Sequence, residues 1–316
     1  MGAVSKDLHI DKLLSQMAMG YRPEGFIADM IFPTVPVDKQ SDLYPVYSRA
    51  DRLRRQDTKR APGTRAKRVI EDIGSDTFYC SNYALSKAVT IEDKANADPV
   101  YVQDILNNGT TLILDHLMLD WEIRVANQVT SGSNVGSFSG VSSAWNGTTC
   151  DPLGDLNTAI DNVHYANGVM PNRIVFGVEA WKSFRRHSTV RNLIFGTNNG
   201  GGYPNTQQVA GLLDIPDVMV GGSFQNTGGE GLSESLSTIW GDHVLVYYAP
   251  DSPTRERPSL GYSFRWTQPG LPNMQVERHP YDSRIKAEEI EVGYYQDEKL
   301  TASTYGFVLD AVNSST

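Results

Sequence analysis

RADRLRRQDTKRAPGTRAKR, residues 49–68, holds nine basic side chains in twenty and only two acids, Asp51 and Asp57. The whole chain has 28 basic and 37 acidic residues, which leaves 19 against 35 outside this stretch. A segment of +7 therefore sits on a body of −16. The stretch has no hydrophobic periodicity, and Ala61-Pro62-Gly63-Thr64 inside it is a turn signal. It cannot enter its own core, because each unpaired buried charge costs several kcal/mol. It is either solvated or laid on something acidic, and the nearest acidic surface is a second copy of the same chain. Contact with nucleic acid is the weaker reading, since Asp51 and Asp57 interrupt the positive run.

Around this stretch, residues 46–90 read as a long two-stranded excursion. VYSRADRLRR goes out and AKRVIEDIGSDTFYCSNYALSKAVTIE comes back. An isolated two-stranded ribbon is marginal in water, so it needs something to lie on. Upstream is the arm GFIADMIFPTVPVDKQSDLYPVYSR (25–49). Its Pro33, Pro36 and Pro45 forbid a helix or a central strand. Phe26, Ile31, Phe32, Val35, Val37 and Tyr44 make it too apolar for a free linker. Residues 5–20 read as a short amphipathic helix with Leu8, Leu13, Leu14 and Met17 on its apolar side.

Downstream, Asp98 and Pro99 have the chemistry of an N-cap and a first helical residue. They open a helix expected to run to about Thr130. Val102, Leu106, Ile113, Leu117 and Trp121 fall on one stripe at helical spacing. Thirty residues would make a rod of roughly 45 Å, with Asn107-Asn108-Gly109 as a place to bend. A Gly/Ser-rich loop (131–149) follows, and the pattern then becomes α/β. Helices are expected over 151–168, 178–194 and 206–215, with strands at RIVFG, DVMVGG and within SESLSTIWGDHVLVYYAP. From Met274 to Val312 the alternation is mostly that of strands.

At 316 residues, with 40% hydrophobic and 21% charged side chains, the chain can build a substantial core across about two domains. A net charge of −9 argues against a dedicated nucleic-acid binder. Cys80 and Cys150 form neither a disulfide framework nor a zinc motif, which fits a reducing cytoplasm. MGAVSKDLHIDKLL lacks the apolar core of a signal peptide, and no apolar run reaches the roughly 20 residues of a membrane span.

His9, His116, His164, His187, His243 and His279 share no ligand spacing. GTNNGGGYPN lacks the Gly-Lys-Ser/Thr of a phosphate loop, and no Gly-x-Ser-x-Gly elbow is present. Asp242-His243 reads as a turn or strand-edge pair with no nucleophile beside it. Glu288, Glu289 and Glu291 read as exposed or inter-subunit charge, and the five tryptophans as core. No catalytic, cofactor or metal site is expected.

The order of parts resembles the major capsid proteins of tailed bacteriophages, with the fold named after phage Hong Kong 97. Local phrases resemble the branch related to the phage lambda head protein. They are FIADMIFPTVPVDKQSDLYPVY (26–47), APGT (61–64), Ala84-Leu85 with IEDKANADP (91–99), PNRIVFGVEAW (171–181), STIWGDHVLVYY (237–248) and LGYSFRW (260–266). The ordered set, more than any one phrase, carries the resemblance. It implies an α+β, Hong Kong 97-like capsid fold. Its parts would be an N-terminal arm (1–45), an extended E-loop (46–90), a peripheral domain with a long spine helix (91–150), an α/β axial domain (151–270) and return strands (271–316).

The function this implies is a structural, non-enzymatic shell protein forming the pentamers and hexamers of an icosahedral capsid around the genome. Encapsulin-like nanocompartments, which use the same fold, and an oligomeric α/β enzyme are the alternatives. Arg52, Arg54, Arg55, Arg60, Arg65 and Arg68 of the loop, and Phe26, Ile31 and Phe32 of the arm, are the expected inter-subunit contacts. The chain reaches the arm within about 25 residues, without a long delta domain, so the resemblance implies a separate scaffolding protein. Other implied partners are a portal, a decoration protein and packaged double-stranded DNA touched non-specifically on the inner face. No membrane is involved. Assembly would take place in the host cytoplasm, and the destination would be the virion.

Overall fold

The computed structural model describes residues 11–47, 53–69, 73–96, 102–196, 202–267 and 273–313, apart from positions 133, 136, 142, 148 and 311. The first half begins with helix α1 (Lys12–Gly20), a single turn α2 (Ala28–Ile31), strands β1 (Thr34–Val37) and β2 (Ser41–Tyr47), then β3 (Ile73–Tyr79) and β4 (Ser81–Thr90). Helix α3 (Ile91–Asn96) precedes α4 (Val102–Thr130), which is the long helix expected from the stripe. The Asp98 and Pro99 start signals lie outside the described residues.

Helix α4 is unbroken over 29 residues, about 44 Å at 1.5 Å per residue. Its buried side is wider than the expected stripe. Ile113, Leu117, Trp121, Val125 and Val129 form one row, and Leu114, Met118, Glu122 and Ala126 form the next. The Asn107-Asn108-Gly109 run stays helical. A Cβ on Gly109 would stand 3.6 Å from the Lys87 side chain and 3.8 Å from Ile290, so the helix lies close over a sheet there.

That sheet is built on β13 (Ala287–Leu300), a 14-residue strand. Along one edge it pairs with β4, and along the other with β12 (Gln275–Asp282) and then β11 (Gly261–Trp266). Burial along β13 alternates, with Ile290, Val292, Tyr294, Gln296 and Glu298 turned toward α4. Strand β1 pairs in parallel with β11 at the sheet's margin, which is where a strand containing Pro36 can sit without losing a ladder bond.

The second half is an α/β unit on a sheet of order β5-β14-β10-β6-β7. These are β5 (Ser137–Gly140), β6 (Arg173–Gly177), β7 (Asp217–Gly221), β10 (Val244–Tyr247) and β14 (Gly306–Asp310). RIVFG and VLVY are buried on both faces, as their unbroken apolar runs require. Helix α5 (Pro152–Asn167) is capped by Asp151 and stopped by Gly168 in the left-handed conformation, φ 70°. The single helix expected over 178–194 is two, α6 (Val178–Arg186) and α7 (Ser188–Phe195), because His187 takes extended angles between them. Helix α8 (Thr206–Leu213) carries a full capping box from Asn205 and Gln208. Among the described residues, the small hairpin β8 (Phe224–Asn226) and β9 (Leu236–Thr238) pairs with no other strand.

Candidate functional site

The feature that stands away from both cores is the ribbon of β2 and β3, joined in a two-stranded sheet of its own with Leu43 opposite Thr77 and Tyr47 opposite Ile73. Its outgoing strand starts at Ser41, earlier than the expected Val46. Period-two alternation divides its faces. Tyr44 and Phe78 point inward onto Phe264 of β11, with ring centroids 5.3 and 4.6 Å away. Val35, Val37, Cys80 and Tyr262 complete this root. The Tyr79 N–H donates to Asp297 Oδ2 at 2.9 Å and ties the ribbon's return to β13. Burial pushes the Cys80 thiol up to about 11. On the outer face, Leu43, Ile73 and Tyr79 are each more than half exposed.

Beyond the strands, residues 53–69 are almost wholly exposed. The APGT signal is a type II turn. Thr64 N–H bonds Ala61 O at 3.2 Å, Pro62 occupies the second position, and Gly63 takes φ 78°. Arg60 donates to the Thr64 carbonyl and braces that turn. Arg54, Arg55, Arg60, Arg65 and Arg68 all lie on the surface, while Arg52 falls outside the described residues. Leu53 reaches Gly168 at the end of α5. Among the described residues, Arg55, Arg65 and Arg68 enter no ion pair.

The arm packs on its own subunit. Ile31 and Phe32 are completely buried in the chain's own core, where a Cβ on Gly261 would collide with the Phe32 ring. Their apolar surface is used inside the subunit, which removes them as surface contacts for a neighbour. Phe26 is half-buried against the same core. The arm lies along its own long helix. Glu122 on α4 accepts from the N–H groups of Ile27 (3.0 Å) and Ala28 (2.8 Å), from the Trp240 indole (2.6 Å) and from Ser223 Oγ (3.4 Å). Burial raises its carboxyl above the ordinary range, and these donors pull the other way. Arg173 Nη1 (2.8 Å) and the Tyr247 hydroxyl (3.1 Å) hold the Met30 carbonyl. On α1, Leu14, Ser15 and Ala18 are buried and Met17 faces out.

A second polar tie joins α4 to the sheet. Arg124 grips Glu298 through Nη2 (2.9 Å) and Nε (3.3 Å), and its guanidinium stands 3.8 Å over the Tyr83 ring. Sequence reasoning missed Glu122 and Arg124. The available signal was a carboxylate falling on a buried helical row.

The pairs weighed as chemistry are dispersed. His243 Nδ1 lies 2.8 Å from Asp310, while Asp242 accepts from the Asn313 N–H. Glu288 bridges Lys94 (2.7 Å) and Arg278 (2.6 Å), which hold its carboxyl below the usual range. Glu291 faces His279 at 3.0 Å. Among the described residues, no three His, Cys, Asp or Glu side chains are grouped to hold a metal, and no helix is long and apolar enough to cross a membrane.

No family model matches the chain. Two curated proteins do, over nearly full length. The major capsid protein of Pseudomonas phage JBD67 is 26% identical over 310 residues, covering 95% of this chain and 96% of its own. That of Burkholderia phage BcepMu is 22% identical over 323 residues, covering 99% and 100%. The chain is similar over nearly its full length to the major capsid proteins of these two phages. Among solved structures, a phage-related protein from Bordetella bronchiseptica RB50 superposes with a TM-score of 0.78 over 98% of this chain and 99% of that one, at 22% identity. A chain of Mycobacterium phage Che8 gives 0.52 at 11% identity over 88% and 86%. The SrpI encapsulin of Synechococcus elongatus PCC 7942 gives 0.51 at 13% over 97% and 96%. The fold is mixed α/β and is shared with chains of phage capsids and of an encapsulin.

Proposed function

We propose that this chain is the major capsid protein of a tailed double-stranded DNA phage, forming the hexamers and pentamers of an icosahedral shell. The observation that carries the reading is the ribbon. Its inner face is rooted by Tyr44 and Phe78, its outer face leaves Leu43, Ile73 and Tyr79 in water, and its tip is basic. Such an element gains stability when a neighbour covers it, at about 25 cal/mol per Å² of apolar area. In this reading β2, β3 and the segment between them are the E-loop and α4 is the spine helix. The sheet on β13 belongs to the peripheral domain and the unit on β10 to the axial domain. Arg54, Arg55, Arg60, Arg65 and Arg68 contact an adjacent subunit, as does Arg52. Ile31 and Phe32 stay within their own.

The shell is non-enzymatic, is built in the host cytoplasm with a separate scaffolding protein and a portal, and encloses DNA that it touches without sequence preference. Co-expression with the scaffolding protein and negative-stain microscopy test this. Closed particles of megadalton mass are expected, and a stable monomer or dimer would overturn it. The encapsulin fold match favours a second reading, a cargo-holding compartment. Particles that form without a scaffold around a protein cargo would select that one.

A further inference from the structure

The hairpin of β8 and β9 is a second projecting element. Phe224 is 52%, Leu232 77% and Leu236 63% exposed. Asn226 pairs with Leu236 and Phe224 with Thr238, so Phe224 and Leu236 lie diagonally on one face. Asn226 closes the turn by accepting from the N–H groups of Gly228 and Ser235, both at 2.9 Å. The hairpin is thus a formed element, and among the described residues it joins no larger sheet. Its charged side chains, Glu230 and Glu234, are both acidic, both exposed and in no ion pair among the described residues. Residues 53–69 have the opposite character. They present Arg55, Lys59, Arg65, Lys67 and Arg68 to solvent, with Val69 69% exposed beside them.

Several acids elsewhere already have partners. Glu288 is taken by Lys94 and Arg278, Glu291 by His279, and Asp42 faces Lys39 and Arg255. The hairpin combines unpaired carboxylates with large exposed apolar side chains.

We propose that the β8–β9 hairpin of one copy docks on the basic segment 53–69 of a second copy, with Glu230 and Glu234 meeting Arg65, Lys67 and Arg68. Leu232 and Leu236 cover apolar surface that each element leaves wet alone. Opposite charge sets the pairing and its register, and apolar burial adds to its strength. The proposal rests on the shell reading and names the carboxylates that the basic loop seeks.

The test is charge exchange in co-expressed particles. E230K/E234K and R65E/R68E are each expected to lower particle yield about tenfold or more, since like charges then face each other at every repeat of the contact. The four-fold exchange is expected to restore yield. Both sets are surface positions, and far-UV circular dichroism of the unassembled chains should match the parent. In wild-type particles, a zero-length carbodiimide should join Lys59 or Lys67 to Glu230 or Glu234 of another chain, as read by mass spectrometry. Full yield from E230K/E234K, or cross-links from those lysines only to other carboxylates, overturns the docking and leaves the shell intact. Failure of the wild-type chain to form particles overturns the shell reading itself.

Discussion

The indole Nε1 of Trp240 donates to Oε1 of Glu122 at 2.6 Å. This contact joins the loop before β10 to the middle of the long helix, and the same carboxylate also holds the backbone of the arm at Ile27 and Ala28. One fully buried acid therefore fixes the relative position of three parts of the chain. Gly221 leaves the room for it, because a Cβ there would run into the Trp240 ring. Four donors around one carboxylate offset much of the cost of taking its charge out of water.

Glu122→Gln is expected to destabilise the subunit by about 1–3 kcal/mol, since an amide NH₂ would then face donors and leave one unpaired. The pH dependence has a definite sign. The folded-state pKa of Glu122 is raised above its ordinary 4.5, so the folded chain binds this proton more tightly than the unfolded one. That contribution is fully present below about 4.5 and is lost as pH rises through the raised value. Urea unfolding of wild type and E122Q across this window should show a slope that only the wild type carries. Identical slopes would mean the carboxyl is not the linked group.

Phe32→Ala is expected to cost the unassembled subunit about 3–5 kcal/mol, as for other buried aromatics. A surface contact reserved for a neighbour would cost almost nothing before assembly. Denaturation of the isolated chain separates the two, and a loss under about 0.5 kcal/mol, the usual range for surface substitutions, would return Phe32 to the interface.

Much of this was legible in local pattern. The stripe from Leu106 to Trp121 marks α4, RIVFG marks a strand buried on both faces, Pro62-Gly63 marks the turn, and the alternation after Ala287 marks β13. What escaped depends on distant partners. Thr34–Val37 is a strand only because β11, more than two hundred residues later, lies alongside. Ile31 and Phe32 look identical in sequence whether they face a neighbour or the space over Gly261. The break at His187 also had no strong local mark, since neither glycine nor proline stands there. Arg124 carries the same charge as any solvated helix face, and only the placement of Glu298 reveals it, whereas Glu122 was marked only by falling on an apolar helical row.

Cys80 is expected to resist alkylation in the native chain. Its side chain is fully buried, its Sγ lies 3.3 Å from the Phe264 carbonyl, and its thiol is shifted up to about 11. At pH 8 almost no thiolate forms, and the thiolate is the reactive species. Iodoacetamide labelling followed by mass spectrometry should leave Cys80 unmodified until denaturant opens the ribbon root. Rapid native labelling would show that the root opens readily.

Arg124 and Glu298 should behave as one unit. Glu298 is 4% exposed and receives Arg124 through two nitrogens and the Gln296 amide at 2.7 Å. Arg124→Met would strand that carboxylate and is expected to cost about 3–5 kcal/mol. Glu298→Leu should cost less, because Arg124 keeps Asp120 and access to water. The double variant should then fall short of the summed losses by about 2 kcal/mol, the coupling expected of a close pair. A double-mutant cycle by urea denaturation measures this directly. Additivity within about 0.5 kcal/mol would mean the pair is energetically idle, and that α4 is held on the sheet by its apolar rows and its remaining polar contacts, such as Gln128 Nε2 to the Glu298 carbonyl.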